Sequence, residues 1–375
     1  MNPTYKSALQ LHQQIPVVDA HNDLAGELLL RHRHGETNVI QNLYLSNWKE
    51  AGFQLIISSI YIENNVFYPS ADMTWINGWQ TGSLVWEQGF QNALEQIQVI
   101  KEEIHELSDQ LCLVTSHKEL EEVKNRKRIG ILLYMEGLDC IGSDLSKIHK
   151  LYELGVRGAS LTWSRPNLLA TGCCTATRFE DIPGSITELG LQAIQELEQH
   201  HMFLDISHLN NEGWQQLQDY YKNKSFSNHQ TDSFAKRIPY VATHSNSYSV
   251  HANYRNLTDY QIQCLAAQGG IMGFNACKYI VGSNDPNQYP DAMCEHIEHA
   301  VSIAGAEHVG LGFDLCDSYT RGKYQTYAVE PEDCLENHKK ALLLTARLLE
   351  RGMSEQTVLQ ILGLNWLQYL EALLH

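Results

Sequence analysis

The residues best suited to chemistry begin with His21 and Asp23, at the end of the run Ile15-Pro16-Val17-Val18-Asp19-Ala20-His21-Asn22-Asp23-Leu24. A short apolar, β-branched run reads as a buried strand. In extended backbone, side chains two apart share a face, so this imidazole and carboxylate could reach one ion. Alone, such a pair is more often a surface His and Asp where a strand enters a loop. Repetition adds the weight. Glu136 closes an apolar run over 129–137, His208 one over 202–208, His244 one over 239–244, and Asp314 one over 308–314. Any one of these could be incidental. Together, three histidines and three carboxylates form the N/O donor set that suits zinc. One catalytic zinc takes about three protein ligands and a water, so six groups point to two ions sharing a carboxylate and a water or hydroxide.

Groups scattered from His21 to Asp314 need a scaffold that gathers strand ends. Eight strand-like runs occur, near 15–24, 53–62, 129–137, 156–163, 202–208, 239–244, 270–274 and 308–314. Helical patterns lie between them, at 86–107, 145–154, 186–200, 258–267, 290–304 and 331–351, with Gly352 at the C-cap of the last. This alternation is the signature of an α/β (β/α)8 TIM barrel, whose C-terminal strand ends converge on one site. Residues 25–50 are mixed and polar, and His32 and His34 read as part of a solvated loop. A long aromatic loop insertion around 63–85 is expected at the barrel mouth, and a second loop over 164–185. No linker or repeat interrupts the chain, so 1–375 reads as a single domain.

Composition excludes several classes of function. A net charge of −17 argues against nucleic acid or an anionic membrane as partner. No apolar run approaches the ~20 residues of a membrane span, and the first residues lack a signal-peptide pattern. Nine scattered cysteines, two of them adjacent at Cys173-Cys174, suit reduced thiols in the cytoplasm better than a disulfide framework.

Longer segments carry a resemblance. Val18-Asp19-Ala20-His21-Asn22-Asp23-Leu24, Met135-Glu136-Gly137, Leu204-Asp205-Ile206-Ser207-His208 and Thr243-His244-Ser245-Asn246-Ser247-Tyr248-Ser249-Val250 appear in order. They are followed by Tyr254-Arg255-Asn256-Leu257, Gly310-Leu311-Gly312-Phe313-Asp314 and Gly363-Leu364-Asn365-Trp366-Leu367. In this combination the chain resembles the membrane (renal) dipeptidase family, peptidase family M19, binuclear zinc peptidases among the amidohydrolase-like barrels. The resemblance implies two Zn2+ per chain. His21 and Asp23 would hold the first, His208 and His244 the second, and Glu136 would bridge them with a hydroxide or water. It also implies that Arg255 binds the carboxylate of a dipeptide substrate, that Asp314 shuttles the proton, and that the protein is a homodimer. A guanidinium fork matches a carboxylate bidentately.

Two positions depart from the family pattern. Better-known members read Leu-Thr-His where this chain has Leu161-Thr162-Trp163, as in a bacterial branch; Trp163 can donate one hydrogen bond but carries no proton or charge. Cys316 stands where an additional Asp commonly follows Asp314. Asp205 reads either as an orienter of a ligand or as a structural acid. The expected function is zinc-dependent dipeptide hydrolysis. The alternatives are a barrel hydrolase acting on a non-peptide bond, which Glu136 and Arg255 disfavour, and a non-catalytic binding barrel.

Overall fold

The computed structural model describes residues 3–63, 83–173, 184–227, 238–326, 328 and 330–374. Its centre is a curled parallel sheet. The strands are β1 (Val17–Asn22), β2 (Phe53–Tyr61), β3 (Leu111–Leu113), β4 (Ile129–Glu136), β5 (Val156–Ser160), β6 (Phe203–Asp205), β7 (Met272–Phe274) and β8 (Val309–Leu311). The order β1-β2-β4-β5-β6 runs around the curl, with β3 beside β4. Single parallel bridges, Asp205 to Val241 and Ala242 to Met272, carry the ring on to β7 and β8. Asp314 N–H then donates to His21 O at 3.1 Å and returns the ring to β1. This is the barrel anticipated from the alternation, with two differences. β3 is an extra short strand. The sixth segment, 239–244, is bridged rather than a regular strand. Pro239 has no N–H, and Thr243 N–H goes to the Asp205 side chain at 3.0 Å instead of a ladder partner.

Interior positions alternate along the strands. Val18, Leu55, Ile57, Leu132, Tyr134, Phe203 and Val241 form one buried cluster with Trp366, Leu367 and Leu370 of the helix Asn365–Leu373. That helix packs on the strand ends opposite the site, where Asn365 Nδ2 donates to Ala306 O and Val309 O at 2.7 and 2.8 Å. Outward residues such as Ile56, Ile60, Ile131 and Leu133 join the larger cluster under the surrounding helices.

Three helical regions differ from the expectation. The helix Pro3–Gln14 closes over the N-terminal side. Residues 25–50 are not a loop: they contain the helix Leu24–Arg33, a π-turn Ile40–Tyr44 and the helix Leu45–Glu50. Their polarity is misleading because it is internally satisfied. Buried Glu27 accepts from Arg31 Nε and Ser318 Oγ, both at 2.6 Å, and from Tyr44. His32 is tied to buried Glu103 at 2.7 Å, and Glu103 also caps Val39 N and Ile40 N. Finally, the helix expected over 331–351 begins only at Ala341. Asp333 is held by Asp317 N–H at 2.9 Å, and Asn337 caps Lys339 N, so the preceding stretch is spent on side-chain contacts. The loop insertion expected at 63–85 lies mostly outside the described residues, as do residues 174–183 of the loop expected at 164–185.

Candidate metal centre

Each ligand candidate leaves a different strand end. β1 carries register shifts between Asp19 and Asn22, and His21 turns into the mouth there. Asp23 is not in extended backbone, as the two-residue spacing suggested. It is the N-cap residue of Leu24–Arg33, with φ −75 and ψ 32, and it lies 3.6 Å from His21 Nε2 through the turn. Glu136 ends β4, and Gly137 follows at φ 84. A Cβ there would sit 2.5 Å from Asp139 Oδ2 and 3.0 Å from Trp163 N, so only glycine lets the next strand end approach. Gly312 before Asp314 is equally constrained, its Cβ position falling 1.8 Å from Thr243 O. Asp314 adopts φ 56, a left-handed conformation that Asp tolerates at small cost, and its Oδ1 lies 3.4 Å from His21 Nε2.

The imidazoles converge on Glu136. Its Oε1 is 2.9 Å from His208 Nε2, 3.3 Å from His244 Nε2 and 3.8 Å from His21 Nε2. Each opposite ring nitrogen meets a hydroxyl: Tyr134 for His21, Ser164 for His208 at 2.7 Å, and Thr243 for His244 at 2.8 Å. Thr243 Oγ1 donates to Asp205 Oδ2 at 2.6 Å, so it accepts from His244 Nδ1–H. That fixes the tautomer with the Nε2 lone pair facing the site. Asp205 is therefore an orienter, and it also receives Ser207 Oγ at 2.6 Å. Asp23 is held by Ser59, and Asp314 Oδ2 by Asn275 Nδ2 at 2.9 Å.

This arrangement demands positive charge. His208 and His244 bring their Nε2 atoms within 2.9 Å of each other. Burial, then the charges of Arg255 and His21, hold both well below the usual imidazole pKa, so protons do not relieve the contact. Burial also raises Glu136 well above the usual carboxylate range, with Asp23, Asp314 and Asp205 adding to it against His21. Burial disfavours charge on His21, yet Glu136, Asp314 and Asp23 outweigh it and raise its pKa to about 10. His21 Nε2 is nevertheless a buried polar atom with no hydrogen-bond partner among the described residues. Two sets, His21–Glu136–His244 and His21–Asp23–Asp314, each bring ligand atoms within 4.8 Å of one another. Divalent cations fit these residues: the donor set is nitrogen and carboxylate, the carboxylates crowd one another, and the His244 Nε2 lone pair points inward.

The constellation opens into a cavity of about 560 Å³ lined by Asp23, Glu136, His208, Asp314, Trp163 and Arg255, among others. Arg255 is 5% exposed; its Nη1 donates to Ser207 O and its Nη2 to His244 O at 3.1 Å. It thus braces both imidazole-bearing segments and also lines the cavity. Trp163 stands between Tyr61 and His208, with ring centroids 5.2 and 5.6 Å away. Cys316 Sγ lies 3.5 Å from Asp314 Oδ1.

A family model for the membrane dipeptidases, peptidase family M19, matches residues 5–373. The chain belongs to that family. Membership makes it a hydrolase of the metal-dependent dipeptidase kind. Among curated relatives it is similar to dipeptidase verJ of Clonostachys rogersoniana, 24% identical over 392 residues, covering 99% of this chain and 88% of that protein. Among solved structures, a metallopeptidase from Rhodobacter sphaeroides, liganded with a phosphinate mimic of the dipeptide L-Ala-D-Ala, superposes with a TM-score of 0.74 at 23% identity, covering 96% and 99% of the two chains. The probable dipeptidase PvdM from Pseudomonas aeruginosa does so with 0.76 at 16% identity, covering 99% and 98%. At these identities the structures establish a shared fold.

The eight residues singled out from the sequence all reach this one site. Reading by residue type missed the hydroxyls behind the imidazoles. Tyr134 precedes Glu136 by two on β4, and Thr243 directly precedes His244, so strand alternation and adjacency were the available signals. Ser164 carried none.

Proposed function

We propose that this dipeptidase cleaves the amide bond of free dipeptides with two zinc ions, one on His21 and Asp23, the other on His208 and His244, with Glu136 shared. Bound there, the ions would polarise the scissile carbonyl and make a water nucleophilic near neutral pH. The chain's own groups do the rest. Arg255 receives the substrate carboxylate on its planar fork, which limits the site to short substrates. Asp314, its Oδ2 anchored by Asn275, uses Oδ1 to accept a proton from the attacking water and return it to the leaving amine. Burial raises the Asp314 pKa and so favours its protonated form during that exchange, against the lowering charge of His21. Trp163 forms an apolar wall that favours a small or flat side chain.

The observation that carries this reading is the convergence of three Nε2 atoms on one glutamate in a cavity that also holds a guanidinium and a second acid. We further propose that the chain acts as a single-domain barrel, as a homodimer, in the cytoplasm. The eight described cysteines are all free thiols, in keeping with a reducing compartment. Among the described residues, no helix is long and apolar enough to cross a membrane. Elemental analysis of zinc-reconstituted protein, with kinetics on L,L and L,D dipeptides and their amides, tests the reading. Close to two ions per chain and preference for the free acid are expected. A two-metal protein that hydrolyses no dipeptide would overturn it.

A further inference from the structure

Behind the Trp163 wall lies a charged pair that the mechanism above does not use. Arg165 is 1% exposed, and its Nε donates to Asp139 Oδ1 at 2.9 Å. Its Nη2 donates to Ile62 O at 2.9 Å. Its Cζ lies 5.5 Å from the Tyr61 ring centre and 5.4 Å from that of Trp163. Burying an ion pair is costly, and well-packed apolar residues of similar volume often do as well or better for stability. The pair therefore invites a role in holding something in place.

Tyr61 is what it holds. Tyr61 ends β2 in register with Glu136 on neighbouring β4. Side chains in register on adjacent parallel strands emerge on the same face, so Tyr61 and Glu136 leave the sheet edge side by side. Tyr61 lines the same cavity as Asp23, Glu136, Trp163 and His208, and its ring packs on Trp163 at 5.2 Å. Gln96 Nε2 fixes its backbone carbonyl at 2.6 Å. The Arg165 guanidinium lies over the Tyr61 ring, a cation against an aromatic face that holds the ring in place. The phenol keeps its own proton to give: burial raises its pKa, against the lowering charge of Arg165.

We propose that Tyr61 is a further catalytic residue, whose hydroxyl donates a hydrogen bond to the oxygen that becomes negative as the amide carbonyl turns tetrahedral. Arg165 and Asp139 are its positioning residues. This rests on the dipeptidase reading above. It places a neutral donor on the Trp163 side of the cavity that Arg255 and Asp314 also line. No covalent bond to the protein forms, and the phenol stays protonated throughout.

The test uses the zinc-loaded enzyme and Tyr61→Phe, which keeps the ring against Trp163. Loss of one preorganised donor should lower kcat about 10- to 100-fold, with KM within about threefold and zinc content unchanged. Affinity for a phosphinate dipeptide mimic, measured by calorimetry, should fall by a similar factor, while affinity for the product amino acids should not. A 3-fluorotyrosine at position 61, nearly isosteric and more acidic, should bind the phosphinate at least as well as the wild type. If Tyr61→Phe matches wild type within twofold in both kcat and phosphinate affinity, the role of Tyr61 is refuted and the dipeptidase reading stands. If the wild-type zinc enzyme neither hydrolyses dipeptides nor binds the phosphinate, the dipeptidase reading falls and takes this proposal with it.

Discussion

Replacing Thr243 by valine isolates the chain Asp205–Thr243–His244. Valine keeps the branched shape in a buried position but removes the hydroxyl that donates to Asp205 Oδ2 at 2.6 Å and accepts from His244 Nδ1 at 2.8 Å. Asp205 keeps Ser207 N, Ser207 Oγ and Thr243 N on Oδ1, so its carboxylate stays in place. What is lost is the lock on the His244 tautomer and ring angle. A hydrogen bond to a charged group contributes about 1.5–3 kcal/mol. At about 1.4 kcal/mol per tenfold, the His208–His244 site should lose about 10- to 100-fold in zinc affinity, the range seen for outer-shell partners of metal ligands. The His21–Asp23 site is held by Tyr134 and Ser59 and should keep its ion. A chelator-competition titration with elemental analysis reads the two sites as separate steps. Asp205→Asn should weaken the same step, and the double variant should lose far less than the sum. Two ions retained with wild-type affinity in Thr243→Val would refute the reasoning.

Glu136→Gln should disturb both sites, because its Oε1 lies within 3.8 Å of all three histidine Nε2 atoms; elemental analysis should find less than one zinc per chain. Arg255→Lys should cut kcat/KM about 10- to 100-fold for free dipeptides and much less for dipeptide amides. Because Arg255 also braces Ser207 O and His244 O, the second zinc should bind more weakly as well. His12 gives a pH signature away from the site. Burial lowers its pKa from 6.5 to about 4, against its bond to Ala51 O. The unfolded chain therefore takes up this proton first on acidification. The associated stability, about 3 kcal/mol, is present above pH 6.5 and is lost as pH falls through about 4. Denaturant melts across that window should show a shallower acid loss in His12→Gln.

Strand-end chemistry was legible because a barrel converts one-dimensional order into convergence. An apolar run that stops at His208, His244, Glu136 or Asp314 delivers that residue to the same rim, whatever the distance along the chain. What local pattern missed was polar residues used inside. Glu27 and His32 gave 25–50 the look of a loop, yet Glu27 is answered by Ser318 and His32 by Glu103, both distant in sequence. Asp205 was open to two readings until its bonds to Thr243 chose one.

The chain's order of residue types therefore determined its fold class, the rim on which the candidate site sits, and which nitrogen and carboxylate side chains stand there. Tertiary structure alone decided how they are used. Asp23 reaches His21 through a helix-capping turn rather than strand alternation. Arg255 supports the backbone of two imidazole-bearing segments as well as lining the cavity, and the Tyr61 ring meets a buried guanidinium 104 residues away in the chain. The reason is physical: periodicity records which face a residue takes, a local property. Tautomers, hydrogen-bond directions and charge crowding depend on atoms that come within about 3 Å only after the ring has closed.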